Sequence, residues 1–237
     1  MNTVEQISGI AKLDVSRETR RGVPEVILAE GKSHGDLVKI CTRMLDKTGR
    51  AIVSRLDESQ SSSLQEVFHV TYDVRSFAHA RLMVIRKKDF QQAKTGGRVG
   101  ILTAGTADLA VAEEAAMMAE EMGCSTILEE DSGVAGIHRL VEPLRTMIYN
   151  EMDCLIVVAG REGALPTVVA GLVDIPIIAV PTSQGYGYGG KGRAALMAML
   201  QACSLGLAVV NIDAGIAAGV VAAQISNRVA RARPRAS

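Results

Sequence analysis

The chain has 237 residues, 48% of them hydrophobic, and equal numbers of basic and acidic side chains. That apolar content suffices for one large core or two small ones. The balanced charge supplies no bulk field for nucleic acid or an anionic membrane, and no run reaches the ~18 apolar residues of a span, so neither partner is expected.

The opening MNTVEQISGIAKLDVSRETRRG is polar and charged, with neither a signal-peptide core nor a transit-peptide composition. Cys41, Cys124, Cys154 and Cys203 lie far apart with no C-x-x-C pair. That spacing predicts reduced thiols and a cytoplasmic protein, without a disulfide framework or a metal site. Residues 1–95 are rich in charge and are expected to form an N-terminal α/β domain. A helix is predicted over 33–47, strands over 51–56, 67–72 and 82–86, and a loop over the polar 57–63. QQAKTGGR (91–98) reads as a linker.

Residues 96–237 alternate strand and helix. The strands RVGILTAG, STILEE, DCLIVVAG, IPIIAVPT and LAVVNID are continuous apolar runs, as strands covered on both faces should be. Helical spacing follows over 108–122, 136–150, 166–172, 193–202 and 216–231. The alternation predicts a three-layer α/β fold with a parallel sheet, beside the smaller N-terminal α/β domain. The Ala-rich 194–202 and 217–223 admit close helix packing or contact between subunits. Arg228, Arg231, Arg233 and Arg235 read as a solvated helix end and a tail.

Four strands end in small-residue turns that open helices: AGTAD, AGREGALP, TSQGYGYGG and DAGIAAG. Unpaired N–H groups at such turns suit anions, and in register they would line the carboxyl edge of one sheet. GYGYGGKG (185–192) has the glycines of a phosphate loop, but Gly192 stands where Ser or Thr would hold magnesium. A pliable loop with two tyrosines and Lys191 remains, suited to a lid or simply to a long surface segment. Asp108 and Glu162 open their helices either as caps or as crevice-facing carboxylates. His138 and Arg139 open another, where the guanidinium could grip phosphate. Cys203, taken alone, reads as a small buried hydrophobe, as do the other three cysteines.

Several segments together resemble the LarB family of nickel-pincer cofactor biosynthesis. They are LDVSRETRRGVPEVILAEGK, AGTAD-LAVAEEA, DSGVAGIHRL, VVAGREGALPTVVAGLV, PIIAVPTSQGYG, ALMAML-QAC and VVNIDAG. The likeness covers nearly the whole chain. Ala107, Arg161, QACS and Ala214 depart from the usual family pattern. The second half is also distantly similar to class I aminoimidazole ribonucleotide carboxylases, whose fold it implies. The His of their A-A-H-L-P motif falls on Ala164, however, and a methyl group cannot move a proton.

The resemblance implies carboxylation of the pyridinium ring of nicotinic acid adenine dinucleotide by CO2 or bicarbonate and hydrolysis of its phosphoanhydride. No prosthetic group is implied; magnesium at the pyrophosphate is admitted. Cys203 would be the nucleophile, with Asp108, Glu162 and His138 as catalytic candidates. Gly105, Thr106, Arg139, Gly163, Ser183, Gly185, Tyr186, Gly187 and Lys191 would bind substrate. A homo-oligomer, an octamer by resemblance, is expected. The alternatives are a purine-pathway mutase and a non-catalytic nucleotide-binding module.

Overall fold

Ser33 and Asp57 each start a helix in the charged first half, and between them they set its architecture. In a computed structural model, residues 4–234 are described apart from Ser8 and Ile10. The chain divides into two units, 1–92 and 93–237.

In the first unit β1 (Glu5–Ile7) and β2 (Ala11–Leu13) pair antiparallel, followed by α1 (Arg17–Arg21). Then come β3 (Val26–Leu28), α2 (His34–Thr48), β4 (Arg50–Ser54) and α3 (Glu58–Phe68). The unit closes with β5 (Asp73–Phe77) and β6 (Leu82–Arg86). The sheet order is β3-β4-β6-β5, with only β3 and β4 parallel. α2 buries Leu37, Ile40, Cys41, Met44 and Leu45 at helical spacing in the core beside Val53, Met83 and Ile85.

The loop expected over 57–63 and the strand over 67–72 are corrected here: the first gives way to α3, and the second to the end of α3 and the turn that follows it. Asp57 caps it: its carboxylate accepts from the Gln60 N–H at 2.8 Å, and the Gln60 amide oxygen accepts from the Asp57 N–H at 3.1 Å. Leu64 and Phe68, four residues apart, are buried, whereas Val67 and Val70 face solvent. A capping box and a helical stripe outweigh local β-propensity.

The second unit runs β7 (Arg98–Thr103), α4 (Leu109–Glu121), β8 (Ser125–Glu129), α5 (Val141–Tyr149), β9 (Cys154–Ala159) and α6 (Leu165–Ala170). β10 (Ile177–Pro181), α7 (Arg193–Leu200), β11 (Leu207–Val209) and α8 (Gly215–Ala232) complete it. Short 3-10 turns, Thr106–Asp108 and Val134–Leu140, precede α4 and α5. All five strands are parallel in the order β11-β10-β9-β7-β8. β7, β9 and β10 are buried throughout, save the edge residue Arg98, which explains their unbroken apolar sequence.

α4 and α8 cover one face of this sheet, and α5–α7 pack on the other. α4 and α8 lie close because Gly215 and Gly219 replace side chains at the contact; a Cβ on Gly219 would stand 2.5 Å from the Ala115 carbonyl. The small residues Ala218, Ala222 and Ala223 are thereby buried within the unit. Among the C-terminal arginines, Arg228 and Arg231 are exposed as a solvated helix end should be, and the reading is corrected at Arg233. Arg233 pairs with Asp153 and donates to the Gly96 carbonyl at 2.9 Å, while Arg235 lies outside the described residues. No helix among the described residues is long and apolar enough to cross a membrane.

Candidate functional site

The order of the strands reverses between β7 and β9, since β8 lies outside β7 while β9–β11 extend the other way. At such a switch point the turns leaving the two central strands diverge and open a crevice at the carboxyl edge. A pocket of about 450 Å³ occupies it. Its walls come from 104–108 after β7, 133–139 before α5, 159–165 after β9 and 184–186 after β10.

Asp108 is the buried ionisable group of the pocket. The Thr182 hydroxyl donates to its Oδ1 at 2.6 Å and the Gly105 N–H to its Oδ2 at 3.1 Å. Burial pushes the carboxyl above the ordinary aspartate value; these bonds and the Gly160 N–H pull the other way, and Asp213 adds to the rise. These contacts fix the carboxyl in place beneath the pocket wall. It serves the turn after β7 and presents a fixed acceptor edge. Glu162, also in the wall, is exposed.

Other turns close on themselves in the same manner. Asp213 accepts from the Ser183 N–H at 2.8 Å, and the Arg161 N–H donates to the Gln184 carbonyl at 3.2 Å. The expectation of free backbone N–H groups is thus corrected at Gly105, Ser183 and Arg161. The protein's own carboxylates and carbonyls satisfy these three donors, so they are not free for an anion. Arg139 lines the pocket and donates to Asp131 at 2.6 Å. Arg161 lines it too, its guanidinium 4.5 Å from the centre of the Tyr186 ring.

The expected site residues therefore divide. Gly105, Asp108, Arg139, Glu162, Gly185 and Tyr186 line one pocket. Thr106, Gly163, Ser183, Gly187, Lys191 and His138 do not line it. Gly163 adopts φ +66° and lets the chain approach α7, where a Cβ would stand 2.7 Å from Ala195 Cα; its closeness serves packing. His138 and Lys191 are exposed. Ala164, where the carboxylases carry His, lies in the wall, so the missing imidazole is missing from the pocket itself.

Cys203 departs furthest from its expected places. It is exposed, which corrects its reading as a buried hydrophobe, and it follows α7 just before β11. The Gly206 carbonyl three residues later accepts from the Ile177 N–H at the start of β10. Cys203 therefore belongs to the amino edge of the sheet, and the pocket to the carboxyl edge. The five residues of β10 separate them, roughly 16 Å of strand. The remaining cysteines are buried, and burial pushes the thiols of Cys41 and Cys154 up to about 12 and that of Cys124 up to about 11. They are inert packing residues.

Sequence reasoning placed Thr182 and Gln184 only within the anion-suited TSQGYGYGG turn and Arg161 only as a departure from the family pattern, and it passed over Ala135. Thr182 meets Asp108 across 74 residues of sequence, so no local spacing signals the pair. Among the described residues, no group of three or more His, Cys, Asp or Glu is gathered as a metal site.

Two family models match the chain: a LarB/PurE-like N-terminal domain over residues 4–87 and AIR carboxylase over 98–233. An uncharacterized protein of Methanocaldococcus jannaschii is 43% identical over 228 residues, covering 95% of this chain and 88% of that one. The N5-carboxyaminoimidazole ribonucleotide mutase of the same organism is 33% identical over 127 residues, 53% of this chain and 76% of the mutase. A three-layer α/β domain with its pocket at the switch point, preceded by the LarB/PurE-like domain, places this chain in the LarB family, with an AIR carboxylase domain as its second half.

Proposed function

We propose that the protein carboxylates the pyridinium ring of nicotinic acid adenine dinucleotide at C5 and hydrolyses its phosphoanhydride, giving pyridinium-3,5-biscarboxylic acid mononucleotide and AMP. The observation that carries this reading is the pocket wall at Ala164. A carboxylase-type crevice is present, yet the imidazole that would serve purine chemistry is replaced by a methyl group. The substrate must therefore be activated differently.

A pyridinium carbon is electrophilic and does not attack CO2. Addition of the Cys203 thiolate to the ring forms a C–S bond and leaves a dihydropyridine, an enamine whose C5 is nucleophilic. C5 bonds to CO2, a base takes the proton from C5, and expulsion of the thiolate restores the aromatic ring. Glu162 is assigned as that base, because it is exposed in the wall while Asp108 is buried. Water supplies the hydroxyl for cleavage of the anhydride.

Cys203 of the same chain lies at the wrong edge of the sheet. The proposal therefore includes a homo-oligomer in which the amino edge of one chain faces the carboxyl edge of another, so that the thiol enters a neighbour's pocket. Magnesium at the pyrophosphate, if used, would be held by phosphate oxygens and water rather than by a protein cage.

The test is incubation of the pure protein with the dinucleotide and bicarbonate, followed by mass spectrometry. A mononucleotide heavier by CO2, together with AMP, is expected. Turnover only of N5-carboxyaminoimidazole ribonucleotide, supplied in a parallel incubation, would favour the mutase reading suggested by the 33% identical relative. Tight binding without turnover of either substrate would leave a non-catalytic module.

A further inference from the structure

Four charged side chains line the pocket: Asp108, Glu162, Arg139 and Arg161. Asp108 is occupied by its donors, and Arg139 is paired with Asp131 at 2.6 Å. Arg161 stands apart. Among the described residues its guanidinium has no carboxylate partner, and its recorded contact is the Tyr186 ring, 4.5 Å away. Tyr186 is itself 82% exposed, so this stack is open to a ligand from the solvent side.

The backbone aims both side chains deliberately. Arg161 adopts φ +50°, a left-handed conformation uncommon for a residue with a side chain. The turn that imposes it is tied to the loop opposite, where the Arg161 N–H meets the Gln184 carbonyl at 3.2 Å. Gly160 has no Cβ to collide with that carbonyl, so the two segments close over one corner of the pocket. Arg161 and Tyr186 are thereby brought together from turns that follow different strands.

We propose that Arg161 is a specificity residue that selects ligands carrying an anionic substituent, carboxylate or phosphate, beside a planar ring. A guanidinium offers a planar fork of donors that matches either oxyanion, and the backbone N–H groups that could compete at Gly105 and Ser183 are already satisfied. Tyr186 offers the ring a stacking face. A cationic ring such as a pyridinium can take the place of the guanidinium on that face, so the tyrosine keeps a cation–π partner while Arg161 turns to the oxyanion. The inference rests on the proposed function for the identity of the ring, but the anion selectivity is tested without turnover.

The experiment is calorimetric titration of the full-length protein with nicotinic acid mononucleotide, nicotinamide mononucleotide and AMP. Wild type is compared with Arg161→Met and Arg161→Lys, which ask similar long side chains to adopt the same backbone conformation. If the ring carboxylate is the anion, wild type binds the acid at least about tenfold more tightly than the amide. Arg161→Met removes that preference and leaves amide binding unchanged, while Arg161→Lys keeps part of it. If phosphate is the anion, Arg161→Met weakens all three ligands about equally. Binding of all three to Arg161→Met with wild-type affinity overturns the inference and leaves the proposed function standing. Failure of wild type to bind either pyridine mononucleotide, with AMP binding still dependent on Arg161, overturns the proposed substrate and retains the anion selection. Failure to bind any of the three overturns both.

Discussion

If a site takes its pocket from one chain and its thiol from another, two inactive variants should restore each other. One chain carries Cys203→Ala with an intact pocket, and the other carries Glu162→Gln with an intact thiol. Each alone is expected to lose carboxylation. Bond formation needs reacting atoms ~3–3.5 Å apart, whereas the strand between the pocket and Cys203 of the same chain spans roughly 16 Å. When the two chains are co-expressed with different tags and purified through both, random pairing unites an intact pocket with an intact thiol at about a quarter of the interfaces. Carboxylation should therefore return to about a quarter of the wild-type rate per chain, measured as the CO2-added mononucleotide. If the site lay within one chain, every site in the mixture would lack one group and no activity would return. Mixed assemblies as inactive as their parents, beside an active doubly tagged wild type, would refute the shared-site reasoning.

Glu162→Gln alone should lower kcat by about 10²–10⁴ with the unfolding midpoint unchanged, since the side chain is exposed; wild-type turnover would remove it from the role of base. Thr182→Val deletes the 2.6 Å bond to Asp108, whose folded carboxyl lies above its ordinary value of 3.8. That group's contribution to stability is greatest below the ordinary value and is lost as pH rises through the folded one. The variant's deficit, about 1.5–3 kcal/mol once Asp108 is ionised, should therefore be small in acid and grow toward neutrality. Urea denaturation at pH 4 and pH 8, at one protein concentration, reads it, and equal deficits would contradict the argument. Gly219→Ala forces a Cβ to 2.5 Å from the Ala115 carbonyl and should cost about 1–3 kcal/mol in thermal unfolding; an unchanged midpoint would mean that α4 and α8 can separate freely. Light scattering at micromolar concentration should give a multiple of the chain mass, and a monomer would exclude the shared pocket.

The parallel sheet was legible because its central strands β7, β9 and β10, buried on both faces, leave unbroken apolar runs, and each run is followed by its turn and helix; the edge strands β8 and β11 are only half-buried or exposed. The first half was harder for the opposite reason. β5, DVRSF, lies at the edge of a sheet with mostly exposed or half-buried side chains, so it carries no apolar run to detect. α3 was hidden by serines that read as a loop and by two exposed valines that read as a strand. Its helical signal was present, in the Asp57–Gln60 box and the Leu64–Phe68 spacing, but that signal is defined by positions rather than by composition.

At the site, sequence order marks residues that follow strands, and for that reason Asp108, Glu162 and Tyr186 were found. It does not reveal which donors a turn has already used. The Gly105 and Ser183 N–H groups had the expected location, but each faces a carboxylate of its own chain, three and thirty residues away. With those two donors filled, the proposed recognition of an anion rests on a guanidinium, that of Arg161, one position before the anticipated Glu162. Cys203 shows the same limit at the scale of topology. A residue that closes a helix and precedes a strand in a parallel sheet must lie at the amino edge, whereas ligands gather at the carboxyl edge. The alternation of strands and helices already contained that opposition. Nucleophile and pocket therefore become one site only when two chains meet, so in this fold assembly is a condition of the proposed chemistry.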